Sequence, residues 1–217
     1  MKEILTKDDL THLIFEEIYR RYSEPKTRRK AFAILESAIS CYDKRGFDSV
    51  TLKMIARESG LTAPSLKHYF SDLDEIRELA VKYVHMIAQK IVVDAMVDAK
   101  DPKDRLAKYL NGHYIWAKQF KRHVCVWISF ISFSSRKKKD RALNTEAVLN
   151  GAKRISEMLS RGRRSGVFKH KDDFIAARVI QTLILGWLTT IVTEDITNID
   201  SYTEGVFKEC FRTVETN

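Results

Sequence analysis

The sequence predicts an all-α protein in which three short helices, two of them a helix-turn-helix, precede a larger C-terminal helical bundle. Three observations lead to this fold class. The 217 residues include only 8 Gly and 3 Pro, too few turn formers for the many short strands of a sandwich or barrel. Apolar residues recur at three- and four-residue intervals along nearly the whole chain, the period of a helix rather than a strand. Helix start signals are unusually complete between Thr51 and Asp72.

From Thr6, with Asp9 three residues on, Leu10, Leu13, Ile14, Ile18 and Tyr22 mark one face of a leading helix that stops before Pro25. Residues 1–25 thus read as an N-terminal extension helix. The next helix covers 27–45, with Ala31, Ile34, Leu35, Ala38, Ile39 and Tyr42 turned inward and Gly46 supplying the left-handed stop. Thr51 then serves as an N-cap, Val50 and Ile55 as a hydrophobic staple, and Gly60 as the next stop. Thr62 caps a second short helix with Leu61 and Leu66 as its staple, and Pro64 falls in the first turn, where a missing N–H leaves no bond unmade. Asp72 and Glu75 form a capping box for a long helix that reaches Ala95, and Asp101-Pro102 marks the following break. Later helices are expected over 103–121, 124–134, 141–163, 174–193 and 200–214. The resulting domains are the extension at 1–25, a helix-turn-helix domain at 26–72 and a helical domain at 73–217.

Two short helices joined at a glycine form the unit that reads DNA. The first helix braces on the sugar-phosphate backbone, and the second presents its N-terminal residues to base edges in the major groove. Ala63, Pro64, Ser65, Lys67 and His68 are placed for that role, with Tyr69 behind them. Leu52, Ile55, Ala56, Leu61, Leu66 and Phe70 are needed inside. Thr51, Lys53 and Thr62 stand where helix N-termini meet phosphates. Lys26, Arg28, Arg29 and Lys30 crowd the first turn of a helix, where the macrodipole disfavours cations, and so read as a backbone clamp.

Charge divides unevenly along the chain. The formal total is +9, and residues 100–171 alone hold 19 basic and 5 acidic side chains. That segment suits an anionic ligand, DNA affinity outside the helix-turn-helix, or a solvated basic surface. Cys41, Cys125 and Cys210 are odd in number and far apart, as expected of reduced thiols in a cytoplasmic protein. The start MKEILTKDDL lacks the apolar core of a signal peptide. Residues 174–193 are long enough to cross a bilayer but contain Arg178, Gln181 and four threonines, so they read as a buried helix and no membrane partner is expected. His113, His123 and Cys125 match no metal-ligand spacing. No nucleophile elbow, zinc-protease, P-loop or dinucleotide motif occurs. Neither an enzyme nor a cofactor or metal is expected.

The stretch from Arg28 to Ile76 resembles the TetR family of bacterial transcriptional regulators. Gly46-Phe47, Thr51, Ile55-Ala56, Gly60-Leu61-Thr62, Leu66, Tyr69-Phe70 and Glu75-Ile76 match the family pattern at its spacing. A weaker echo, Gly166-Val167-Phe168, Asp172, Ala176-Ala177, Ile180, Leu183 and Gly186, resembles the end of the family's ligand-binding half. The resemblance implies a homodimeric repressor on palindromic double-stranded DNA, released by a small molecule, with 73–217 as the ligand-binding and dimerisation domain. It implies a pocket near Met96, Tyr114, Trp116, Trp127, Phe130 and Phe133. It also implies an interface on the last two helices, at Ile180, Ile184, Gly186, Trp187, Leu188, Ile191, Phe207 and Phe211. Departures fall on the DNA face: the family usually has a small residue where Pro64 stands, a tyrosine at Lys67 and a phosphate-binding lysine at Leu73. The alternative is therefore an interaction protein that keeps the fold and has lost operator recognition.

Overall fold

The computed structural model describes Ile18 and residues 20–215, and the regular structure of the described residues is helical throughout. The helices are α1 (Pro25–Arg45), α2 (Leu52–Glu58), α3 (Ala63–Lys67), α4 (Leu73–Ala95), α5 (Pro102–Gln119), α6 (Lys121–Ser134), α7 (Lys138–Arg164), α8 (Asp173–Thr193) and α9 (Ile199–Glu215). Most of the extension expected over 1–25 lies outside the described residues. Ile18, Arg20 and Arg21 are helical, and Ile18 is buried.

Local chemistry sets the boundaries. Thr51 Oγ1 accepts from the Met54 amide at 3.3 Å, Thr62 Oγ1 from Ser65 at 3.2 Å, and Asp101 Oδ1 from Asp104 at 2.9 Å. Asp172 Oδ1 accepts from both Phe174 and Ile175 at 2.8 Å. Each satisfies an amide that a helix start otherwise leaves unpaired. At the far end of α2, Gly60 adopts φ +66° and the Leu61 amide reaches back to the Ala56 carbonyl at 2.8 Å. This left-handed closure makes the turn between α2 and α3 tight.

The chain divides into two compact units, Met1–Lys90 with Arg122–Arg141, and Ile91–Lys121 with Ala142–Asn217. The first unit therefore extends past the helix-turn-helix and includes most of α6. Its core is aromatic: Phe47 stacks on Tyr42 at 4.4 Å and on Phe133 at 5.1 Å between ring centroids, beside a fully buried Phe130. Under that cluster lies a buried charge pair. Arg77, 4% exposed, donates to Asp140 at 3.1 Å and to Asp74 at 2.7 Å, and its guanidinium sits 5.3 Å from the Phe133 ring centroid. Asp140 is in the first turn of α7, where the helix dipole favours a carboxylate.

The same helix starts earlier than the expected range of 141–163, inside the basic run 136–139. Lys137 pairs with Asp74 at 4.0 Å and Lys139 with Glu78 at 2.9 Å. Acids on α4 offset the basic run, and α7 begins at Lys138, within it.

In the second unit α8 packs with α9 and α5. Trp187, 1% exposed, donates from Nε1 to Thr203 Oγ1 at 2.9 Å and lies 5.5 Å from the Phe207 centroid. A Cβ on Gly112 would stand 2.7 Å from the Val92 Cα, so α5 and α4 approach closely at that point within the unit. By length and mean hydropathy, 1.7 over its most apolar window, α8 passes as a membrane span. Its polar side chains are nonetheless engaged in the fold: Gln181 donates to the Val148 carbonyl of α7 at 3.1 Å, and Arg178 to Gln181 at 3.1 Å.

Candidate nucleic-acid interface

The exposed surface of α2 and α3 follows from which residues the core consumes. Ile55, Ala56 and Leu66 are buried and hold the two helices together, leaving Thr51, Lys53 and Arg57 exposed on α2 and its cap. Thr62, Pro64, Lys67 and His68 are exposed on and beside α3, with Ala63, Ser65 and Tyr69 half-buried between them. Thr62 and Ser65 hydroxyls lie 2.8 Å apart, so the start of α3 is held by two mutually bonded hydroxyls as well as by the cap. Tyr69 is fixed from the preceding segment: the Tyr22 hydroxyl donates to its carbonyl, and the two rings are 6.0 Å apart. Glu75 accepts from the Ser71 amide and hydroxyl, and Asp72 from the Glu75 amide at 2.8 Å. The exit from α3 into α4 is thus tied down, and an ion pair from Arg21 to Glu75 reinforces it. Together these contacts hold the Glu75 carboxyl below its usual range against the opposing effect of burial.

The basic turn at the start of α1 divides into two roles. Arg28 donates to the Tyr22 carbonyl at 2.6 Å and to Ser23 at 2.8 Å, and Lys30 donates to the Ser59 carbonyl at 3.2 Å at the end of α2. These two side chains brace the scaffold, Arg28 from a position expected in the phosphate clamp. Lys26 and Arg29 are exposed. Behind α2, Glu58 accepts from Ser40 at 2.8 Å and Lys44 at 2.9 Å, which keeps an acid on that helix neutralised. The exposed cations Lys26, Arg29, Lys53, Arg57 and Lys67 belong to the same unit as the helix-turn-helix. A surface of this kind offers phosphate contacts around a short helix with polar groups at its tip.

The residues expected to line one pocket fall in both units. Trp127, Phe130 and Phe133 are buried in the first unit, whereas Met96, Tyr114 and Trp116 belong to the second. Phe130 and Phe133 are consumed by packing on Phe47. Tyr114 donates to Asp200 at 2.5 Å, with Lys118 over its ring at 5.3 Å. The expected interface residues divide in a similar way. Ile180, Ile184, Trp187 and Leu188 are already buried within their own unit, because that stripe of α8 faces α9 and α5. Ile191, Phe207 and Phe211 are half-buried, and Gly186 is on the opposite, exposed face. On that exposed face, the sequence reading named Gly186 and passed over Ile175, Val179 and Thr182. These join Phe174 as an exposed apolar face, with Ile175 59% and Val179 41% exposed.

Comparison with known proteins agrees with this geometry. Residues 34–79 match the sequence model of the bacterial regulatory proteins, tetR family. The chain is 27% identical over 128 residues to the HTH-type transcriptional regulator PksA of Bacillus subtilis, covering 59% of this chain and 62% of that protein. It is 24% identical over 167 residues to the regulator BetI of Stenotrophomonas maltophilia, covering 76% and 81% respectively. Among solved structures, a transcriptional regulator from Saccharomonospora viridis in complex with choline superposes with a TM-score of 0.76 at 20% identity, covering 86% of this chain and 98% of that one. A TetR transcription regulator from Haloarcula marismortui superposes with a TM-score of 0.74 at 17% identity, covering 86% and 96%. These relatives and neighbours are regulators, not enzymes, and the fold is theirs.

Proposed function

We propose that this chain, whose helix-turn-helix domain is that of the TetR family of transcriptional regulators, acts in the cytoplasm as a homodimeric repressor. It binds a palindromic operator and is released by a small molecule held in the second unit. The observation that carries the DNA reading is the exposed tip of α3, where Pro64, Lys67 and His68 project from a helix whose other side is locked into the core through Leu66. Two such helices about 34 Å apart meet successive major grooves. A ligand that favours a conformation in which α4 has swung changes that separation and lowers operator affinity. Selection of bound sequences from a random duplex pool tests the reading. A palindrome supports operator recognition and dimer symmetry together, and the absence of any enriched sequence points to the alternative, a fold kept without DNA recognition.

Lys67→Ala is expected to weaken DNA binding without loss of stability, since the side chain is exposed and makes no contact that the fold requires. If it contacts a phosphate, the salt slope falls by about one unit. If it reads guanine, the loss is about 1–3 kcal/mol and confined to the cognate sequence. Unchanged binding in a filter or fluorescence assay removes Lys67 from the interface.

The second copy is read from α8. An exposed apolar face of Phe174, Ile175 and Val179, continued by Thr182 and Gly186, is larger than an outer helix of a monomer usually presents. A Cβ built on Gly186 meets nothing within 4 Å in its own chain. Gly186→Arg is therefore expected to leave the fold and thermal unfolding intact while converting the dimer to a monomer in sedimentation. A dimer of unchanged affinity sinks this placement.

A further inference from the structure

The helix at the proposed DNA face is too short to set its own direction. α3 has five residues, and isolated helices below about 12 residues are marginal in water. Its orientation therefore follows from what holds its two ends. The start is held locally, by the Thr62 cap and the left-handed turn at Gly60. The other end is held from far away in the chain. The Tyr22 hydroxyl donates to the Tyr69 carbonyl across 47 residues, and Arg21 pairs with Glu75 across 54. Glu75 in turn accepts from the Ser71 hydroxyl at 2.9 Å, so the two contacts fasten successive points on the path from α3 to α4.

Tyr22 is itself held from α1. The residue is 9% exposed, and its amide donates at 3.0 Å to the carbonyl of the buried Ile18. Arg28 of α1 closes on the carbonyls of Tyr22 at 2.6 Å and Ser23 at 2.8 Å. One residue thus bridges the start of α1 and the end of α3. Exposed cations stand at both ends of this bridge, Lys26 and Arg29 on α1 and Lys67 on α3, with His68 exposed beside it. Phosphate contacts fix register and base contacts read sequence, so discrimination needs the two sets at a constant offset. A phenyl ring would fill the space of Tyr22; the hydroxyl adds the bond to Tyr69.

We propose that Tyr22 and Arg21 are positioning residues for DNA recognition. They strap the end of α3 to the start of α1 and so set the offset between the cations on α1 and the tip of α3. Neither acts by touching a base. Without the strap α3 samples several orientations, and binding to a cognate sequence must first select one of them. Non-specific binding depends on the number of phosphates neutralised and is indifferent to that offset. This role rests on the reading of the α3 tip as the base-reading surface. It extends the DNA-reading apparatus to residues before Pro25, outside the helix-turn-helix.

The test compares the full chain with Tyr22→Phe, Arg21→Met, Glu75→Gln and the double variant of Arg21→Met with Glu75→Gln. Each is measured on a selected duplex and on a scrambled duplex of the same length and composition. Tyr22→Phe should weaken cognate binding by about three- to tenfold, the contribution of one hydrogen bond, and leave scrambled binding unchanged. Arg21→Met should do the same with an unchanged salt slope, whereas loss of a phosphate contact would lower the slope by about one unit. Gln at position 75 keeps an acceptor for Ser71 and lacks the charge for Arg21, so the double variant should lose no more than the larger single loss. Without DNA, exchange of the Tyr69 and Phe70 amides, which donate to the Leu66 carbonyl, should quicken in Tyr22→Phe while that of buried α1 amides holds. A merely structural role would instead lower cognate and scrambled binding together. Equal losses on both duplexes, unchanged cognate binding in Tyr22→Phe, or unchanged exchange at Tyr69 and Phe70 overturns the strap. A slope lower by one unit in Arg21→Met makes Arg21 a phosphate contact and overturns its positioning role. A wild-type chain that enriches no duplex sequence fails at an earlier step, before any variant is compared: the base-reading surface is lost, and the strap's role with it.

Discussion

Asp140→Ala should destabilise the first unit by about 3–5 kcal/mol in urea unfolding, the cost of removing one partner from a buried ion pair. Arg77 is 4% exposed and Asp140 3%, so neither side chain can turn to water when the other is lost. Asp74 remains as a partner for Arg77, but it is half exposed and bound through a different nitrogen. The cation would then lie against Phe133 with its Nε unsatisfied. The double variant Arg77→Met with Asp140→Leu should recover most of the loss, since well-packed apolar replacements of a buried pair are often neutral or better. A loss below about 1 kcal/mol in Asp140→Ala would mean that the pair is hydrated in solution, as exposed ion pairs are.

Trp187→Ala should cost about 3–5 kcal/mol, the range for removal of a large buried aromatic. The ring fills the contact between α8 and α9 and touches Phe207, and its Nε1 holds Thr203. Trp187→Phe should recover part of this loss, through ring packing without the hydrogen bond. Dimerisation gives the sharper readout. Because Trp187 faces the interior of its own unit, protein that remains folded should keep the proposed dimer, in contrast to Gly186→Arg. A monomeric, fully stable Trp187→Ala would reverse the assignment of the two faces of α8.

The contrast between those two residues shows which information a sequence carries. Caps at Thr51, Thr62 and Asp72 were legible because each bond spans three residues, and the residue types needed are nearly dictated by the geometry of a helix start. The helix-turn-helix was legible for the same reason, its turn resting on one left-handed glycine. On α8 the period is visible, but apolar residues run almost all round. Only the positions of α9 and α5 decide that Trp187 is interior and Val179 exterior. Arg28 looked like a free cation until the carbonyls of Tyr22 and Ser23 closed on it. Trp127, Phe130 and Phe133 are buried, and their spacing could not show this, because a pocket and a core use the same residues. Arg77 and Asp140, 63 residues apart, carry no local signal at all.

The composition of the first unit has a consequence for synthesis. Its core needs Phe130 and Phe133 against Phe47, and Asp140 under Arg77, so a chain released only as far as Lys90 has every residue of the helix-turn-helix and cannot complete that core. The ribosome must deliver residues through Arg141 before the unit can close. Until then the apolar sides of α1 and α4 stay open to solvent, and at elongation rates of about 5–20 residues per second the wait for the residues beyond Lys90 lasts seconds. The nascent helix-turn-helix unit therefore depends on late-arriving aromatics, and it is exposed to chaperones and aggregation through an interval that a contiguous three-helix domain would avoid.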